Sequence, residues 1–168
     1  MPPPVRAAAA FGISCRPRID EDRPFIEALY ASTREEELGL GGWPEELRRQ
    51  FIAQQQFAQH RHFETAHPGA EWLIVERDGE PIGRLYVEDR GHDLWLIDIA
   101  LMPHSRGSGI GGALMGDLLD WGRDAGKPVG LTVYNTNPAR RLYDRLGFVE
   151  VRSDEVYAEM LWTGEAAA

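Results

Sequence analysis

The apolar positions of this chain change period several times, from about 3.6 residues to two and back, and each change marks an element boundary. Ile13 to Arg18 reads as a short first strand. Asp20-Glu21-Asp22 then leads into Pro24, Phe25, Ile26, Leu29 and Tyr30, an acid-rich start for a helix. Ser32 to Gly42 carries three consecutive glutamates and ends in Leu-Gly-Leu-Gly-Gly, a loop or helix break. Pro44 suits the first turn of a second helix, and Glu45 to His67, free of Gly and Pro, supplies its length. After His67-Pro68-Gly69 the period falls to two. Trp72 to Arg77 and Ile82 to Glu88, joined by Asp78-Gly79-Glu80-Pro81, form a hairpin. Arg90-Gly91-His92-Asp93 turns the chain into a third strand of this meander, Leu94 to Leu101.

The helical period returns in Ile110, Leu114, Leu118, Trp121 and Ala125, and Gly126-Lys127-Pro128 ends it. Val129, Leu131 and Val133 alternate as a strand, and Pro138 to Leu146 forms a short helix closed by Gly147. Phe148 to Val151 and Val156 to Trp162 supply two more strands around a Ser153-Asp154 turn. The predicted order is β-α-α-β-β-β-α-β-α-β-β, a mixed α/β sheet in one domain without internal repeat or linker. Residues 1–12, rich in Pro and Ala with Arg6 as their only charge, read as a disordered tail, and 13–165 as the domain.

Composition narrows the class. A chain of 168 residues with 43% apolar and 27% charged residues buries a core without staples, as soluble globular proteins do. No apolar run reaches the roughly 18 residues of a membrane helix, and Ala7 to Ile13 is short for a signal peptide. The single cysteine, Cys15, supplies no disulfide framework; it reads as a small strand residue in a cytoplasmic protein. The net charge of −9 argues against nucleic acid as a partner and suits the steering of an amine substrate.

The candidate chemistry begins where the third strand of the meander meets the next helix. His104-Ser105-Arg106-Gly107-Ser108-Gly109-Ile110-Gly111-Gly112 places four glycines in six residues at a helix start. Helix-start N–H groups lack intrahelical partners and sit at the positive end of the dipole, so this turn reads as a phosphate site, with Arg106 as a cation beside it. Gly107, Gly109 and Gly112 also spell the dinucleotide fingerprint. That reading requires an acid at the end of the next strand, which instead closes on Tyr134-Asn135, and only about 35 residues remain for the rest of such a sheet. A P-loop lacks its Gly-Lys-Ser/Thr.

Leu101-Met102-Pro103 followed by Arg106-Gly107-Ser108-Gly109-Ile110-Gly111 resembles the acyl-CoA signature of the GNAT superfamily of N-acetyltransferases, R/Q-x-x-G-x-G/A. Asn137-Pro138-Ala139-Arg140-Arg141-Leu142-Tyr143-Asp144-Arg145-Leu146-Gly147-Phe148 resembles the same superfamily's second motif, N-P-A-x-x-L-Y-x-x-x-G-F. The resemblance spans roughly residues 13–162 and implies a GNAT fold, a mixed sheet of about seven strands flanked by about four helices. It further implies that the backbone of Ile99, Ala100 and Leu101 pairs with the pantetheine arm of acetyl-CoA. The amides of Gly107, Ser108, Gly109, Ile110, Gly111 and Gly112 would hold the pyrophosphate, an N–H near Ile99 would polarise the thioester carbonyl, and Asn137 would lie near the arm.

Tyr143 stands, by the same resemblance, at the position of the general acid that protonates the departing thiolate. A phenol with pKa of about 10 is protonated at neutral pH and able to donate. The alternative for Tyr143 is an aromatic that packs beside Leu142 and Phe148. Asp98 is a charge inside an apolar strand, and two readings stand for it: a base or substrate anchor, or a structural ion pair with Arg84. Glu88 is a second candidate base. Tyr30, Arg34, Glu35, Glu36, Glu37, Trp43 and Tyr157 fall in the segments expected to shape the acceptor pocket. His60, His62 and His67 lack metal-ligand spacing and read as a solvated helix face. The expected activity is acetyl transfer from acetyl-CoA to a primary amine, small-molecule or peptide, by direct attack and without metal. The contrasting expectation is a non-catalytic acyl-CoA-binding module. A monomer and a homodimer both fit.

Overall fold

Asp78 and Gly79 set the register of the sheet. In the computed structural model, which describes residues 3–34 and 39–164, both have positive φ (51° and 85°), the pair of left-handed residues that a two-residue hairpin turn uses. Strand β2 (Ala70–Arg77) thus passes directly into β3 (Glu80–Asp89), with Arg77 opposite Glu80. The four-residue turn expected from the sequence is too long, because Glu80 and Pro81 already lie in β3. A register shift between Val75 and Glu76 accommodates Pro81, which has no N–H to give to a ladder.

The other elements follow the predicted order: β1 (Ile13–Pro17), α1 (Arg23–Arg34) and α2 (Glu45–Ala66) before the hairpin, then β4 (Leu94–Leu101), α3 (Ile110–Ala125), β5 (Val129–Tyr134), α4 (Arg140–Leu146), β6 (Val149–Ser153) and β7 (Tyr157–Trp162). The seven strands form one sheet in the order β1-β2-β3-β4-β5-β7-β6. Every neighbouring pair is antiparallel except β4–β5, the pair that α3 joins by a crossover.

Strand alternation divides the sheet residues between two faces. Leu73, Val75, Leu85, Val87, Leu94 and Leu96 are buried in one cluster with Leu114, Met115 and Leu118 of α3. Each such side chain contributes about 1.5–3 kcal/mol by leaving water. On the other face α2 lies over β3, with the rings of His60 and Phe63 against Tyr86. Helix α1 packs on α2 through a smaller cluster of Tyr30, Leu40 and Ile52.

Residues 3–12 depart from the expected tail. Ala8–Phe11 form a 3-10 turn, Ala8 is fully buried, and the buried carboxylate of Asp117 on α3 accepts the N–H groups of Ala7 (2.7 Å) and Ala8 (3.0 Å). A carboxylate inside an apolar layer demands donors, and the Ala-rich arm supplies two while its small side chains fit the core. Burial, and next the charge of Asp117, push the Cys15 thiol up to about 11, which suits a packing residue. Among the described residues no helix is long and apolar enough to cross a membrane.

Candidate active site

The sheet splits between β4 and β5. Their parallel ladder joins Leu94, Leu96 and Trp95 to Val129, Leu131 and Gly130, and goes no further. On the other side of β4, Val87 pairs with Leu96 while Tyr86 pairs with Asp98, so Ile97 is a bulge. A bulge bends its strand and increases the local twist. Beyond it, Asp98 to Leu101 keep β3 as a neighbour, while β5 stays with β7 as far as Tyr134. A gap opens inside the sheet, and along it runs a row of β4 backbone groups with no described strand opposite them. Such an edge is able to take an extended chain as an extra strand.

At the end of that edge the chain reverses into α3. Met102 N–H bonds back to Ile82 C=O (2.7 Å), and a 3-10 turn spans Pro103–Ser105. Gly107 and Gly109 then take φ of 71° and 87°, where a side chain would be strained. Gly109 is the helix N-cap, and no side chain caps the amides of the first turn. The first intrahelical bond runs from Ala113 N–H to Gly109 C=O (3.0 Å), so the amides ahead of it face out of the helix end. Gly111 and Gly112 have ordinary φ, and a Cβ added at Gly112 would meet nothing within 4 Å. Their small size keeps the helix end uncovered. Ser108 gives its hydroxyl to Ser105 C=O (2.8 Å). Arg106 donates Nε to Leu101 C=O (2.9 Å) and approaches Ser32 Oγ at 3.4 Å, so it ties the turn to β4 and to α1 while remaining exposed.

Asp98 is partnered as the ion-pair reading anticipated. Its Oδ2 accepts Arg84 Nε at 2.6 Å, and Arg84 Nη2 reaches Gln59 Oε1 on α2 at 3.0 Å. The Arg84 side chain is only 5% exposed, whereas that of Asp98 is 26% exposed, so the pair is anchored inside and open at its carboxylate end. Glu88 differs. Its two oxygens accept from His67 (2.7 Å) and from Gly69 N–H (3.1 Å), and the residue is buried, so it is less open than Asp98 as a candidate base. Sequence names Arg84 as a partner of Asp98 but gives no signal for Gln59, which lies on a distant helix.

Tyr143 sits on α4 with its ring edge-on to Phe148 (centroids 5.8 Å apart) and belongs to the core cluster of α3. Burial, and then the nearby charge of Asp98, push its phenol up to about 12. The fold thus brings Tyr143 and Asp98, from opposite sides of the split, within electrostatic reach. Asn137 caps the approach to α4: its Oδ1 accepts Ala139 N–H at 2.9 Å. It lines an open cavity of about 430 Å³ at the end of β5, with residues 135–138, Arg140, Arg141 and Asp144.

Arg34 stacks over Tyr30 (5.6 Å), and its charge reaches Tyr157, whose hydroxyl donates to that of Tyr134 at 3.1 Å. Trp43 packs edge-on with Phe51. Glu35, Glu36 and Glu37 lie outside the described residues. His60 is not on a solvated face: Arg18, a donor only, approaches its Nδ1 at 3.2 Å, which puts the ring proton on Nε2 beside Glu64 (3.1 Å). Burial, with Arg18 next, lowers its pKa.

Comparison with known proteins bears on this geometry. The chain matches the family model described as the acetyltransferase (GNAT) family over residues 26–148. Among solved structures it is similar to the PaiA N-acetyltransferase of Thermoplasma acidophilum in complex with coenzyme A, at 17% identity and TM-score 0.65, over 90% of this chain and 98% of that one. An acetyltransferase of Thermus thermophilus matches at 16% identity and TM-score 0.65, over 89% and 96%. One of Streptococcus agalactiae matches at 12% identity and TM-score 0.60, over 89% and 97%. These likenesses show the fold. No curated protein matches the chain.

Proposed function

The chain belongs to the GNAT acetyltransferase family, and from that premise we propose that it transfers an acetyl group from acetyl-CoA to a primary amine by direct attack. The observation that carries this reading is the coincidence, at one split in the sheet, of a free β4 edge, an uncapped helix start and a buried tyrosine. The first suits an amide-bearing pantetheine arm, the second a diphosphate. Residues Ile99, Ala100 and Leu101 would hold the arm, the amides from Gly107 to Gly112 the diphosphate, and Asn137 Nδ2 would donate to the arm. Acetyl-CoA supplies an activated thioester.

The chain's own groups manage charge and protons. A β4 N–H near Ile99 donates to the carbonyl oxygen as it gains charge. Asp98, fixed through Oδ2 by Arg84, has Oδ1 to accept a proton of the incoming ammonium. As the C–N bond forms and the C–S bond breaks, the nitrogen gives its second proton to water, and the sulfur takes one proton from Tyr143. Tyr143 keeps its own proton at neutral pH and offers it to that sulfur. Tyr143 is thus the general acid of this reading, and its phenolate regains a proton from solvent after the thiol leaves.

The test is free-thiol release from acetyl-CoA across a panel of amines: polyamines, amino acids, aminoglycosides, peptide N-termini and lysine. Turnover with one class, absent without the amine, supports the reading. Tight acetyl-CoA binding with no thiol release across the panel at high protein concentration would overturn it in favour of a binding module.

A further inference from the structure

Phe11 is an aromatic ring left partly in water at a place where apolar surface is costly. It is 37% exposed, although the arm that carries it is anchored on both sides. Before it, Ala7 and Ala8 are clamped by Asp117. After it, Gly12 turns with φ of 75°, and Gly12 C=O accepts Asp78 N–H at 3.1 Å. A Cβ at Gly12 would stand 2.7 Å from Asp78 Oδ1, so this junction has little freedom. Between these anchors the ring is aimed at Gly109. Its Cζ and Cε1 lie 3.5 and 3.7 Å from where a Gly109 Cβ would stand. The arm, outside the family-matched residues 26–148, thus sets an aromatic face beside the helix start assigned above to the diphosphate.

We propose that Phe11 is a binding residue for the nucleotide end of the acyl-CoA donor, with its exposed ring as the platform on which the adenine base rests. The inference rests on the donor reading. In coenzyme A one ribose separates the diphosphate from adenine, so a diphosphate at Gly109 leaves the base one sugar's length from that helix end, within reach of a ring beside it. A base stacked on an aromatic ring covers apolar surface on both partners and tolerates the polar rim of the site. The buried Asp117 clamp fixes the arm and with it the position of the ring.

The test compares two donors that share the reacting thioester and differ in the nucleotide: acetyl-CoA and acetylpantetheine. In Phe11→Ala the ratio of their kcat/KM values falls about tenfold, and Phe11→Trp restores it. Calorimetric titration with CoA shows the same order of affinities. An unchanged ratio in Phe11→Ala would overturn the proposal, as would an equal loss with both donors, which would show that the arm only shapes the turn. Wild-type protein that failed to bind CoA would remove the donor reading itself, a result visible before any variant is made.

Discussion

From Leu94 to Leu96, β4 has a strand on each side, β3 through Val87 to Asp89 and β5 through Val129 to Leu131. From Asp98 to Leu101 it keeps β3 alone. The two halves are similar in composition, yet the first is closed by backbone pairing and the second is left open. The bulge at Ile97 separates them, and the only charge in the strand, Asp98, follows directly. Closing the sheet would satisfy the backbone of the second half and abolish a place for an extended ligand. Backbone pairing on both sides thus belongs to the closed half and the proposed chemistry to the open one.

That contrast breaks most visibly at Gly109, where the open half hands over to α3. Gly109→Glu puts a side chain at φ 87° and a negative charge at amides proposed to hold a diphosphate. CoA affinity is expected to fall about a hundredfold, since the added carboxylate repels a diphosphate at that helix end and its side chain fills the space, while the left-handed strain of about 1–2 kcal/mol lowers folding stability instead. Near-wild-type affinity in a calorimetric titration would refute the placement. In the closed half, Leu96→Ala removes a side chain buried against α3 and is expected to cost about 3 kcal/mol in a denaturant titration. Here kcat of the folded fraction should stay near wild type; a selective loss of kcat would blur the division.

Tyr143→Phe tests the open half more finely. It is expected to lower kcat about a hundredfold near pH 7, roughly 2.7 kcal/mol of barrier, with thermal stability nearly unchanged. Equal turnover would end the general-acid assignment. The same substitution has an alkaline signature. Because the folded chain holds this phenol at about 12 against an ordinary 10.0, it retains a proton between those values that the unfolded chain has lost. The stability it contributes is intact below about pH 10 and lost as pH rises toward 12, and Tyr143→Phe should remove that part of the fall.

Much of this was legible in the residues. The Asp78-Gly79 turn, the β4 limits Leu94 and Leu101, and the glycine turn before Ile110 follow from local conformational preference, which acts over a few residues. Glu88 and Asp98 show where such reading stops. Both are carboxylates among apolar strand residues, so by sequence both are candidate bases. The fold gives Glu88 two donors, His67 and Gly69, and gives Asp98 one, Arg84, with solvent at its other side. The arm before β1 follows the same logic. A Pro- and Ala-rich segment has little reason to order until a carboxylate on a distant helix, Asp117, needs its N–H groups.

The sequence by itself determined the order of the elements, the left-handed glycines of the turn and the two motifs that mark the family, because each depends on neighbours along the chain. Only the tertiary structure decided where the sheet opens, that Asp98 is held by an Arg84 itself braced on Gln59, and that Phe11 meets Gly109. Those outcomes depend on which distant groups share a buried space, where every charge and N–H must find a partner, and that is settled when the layers pack.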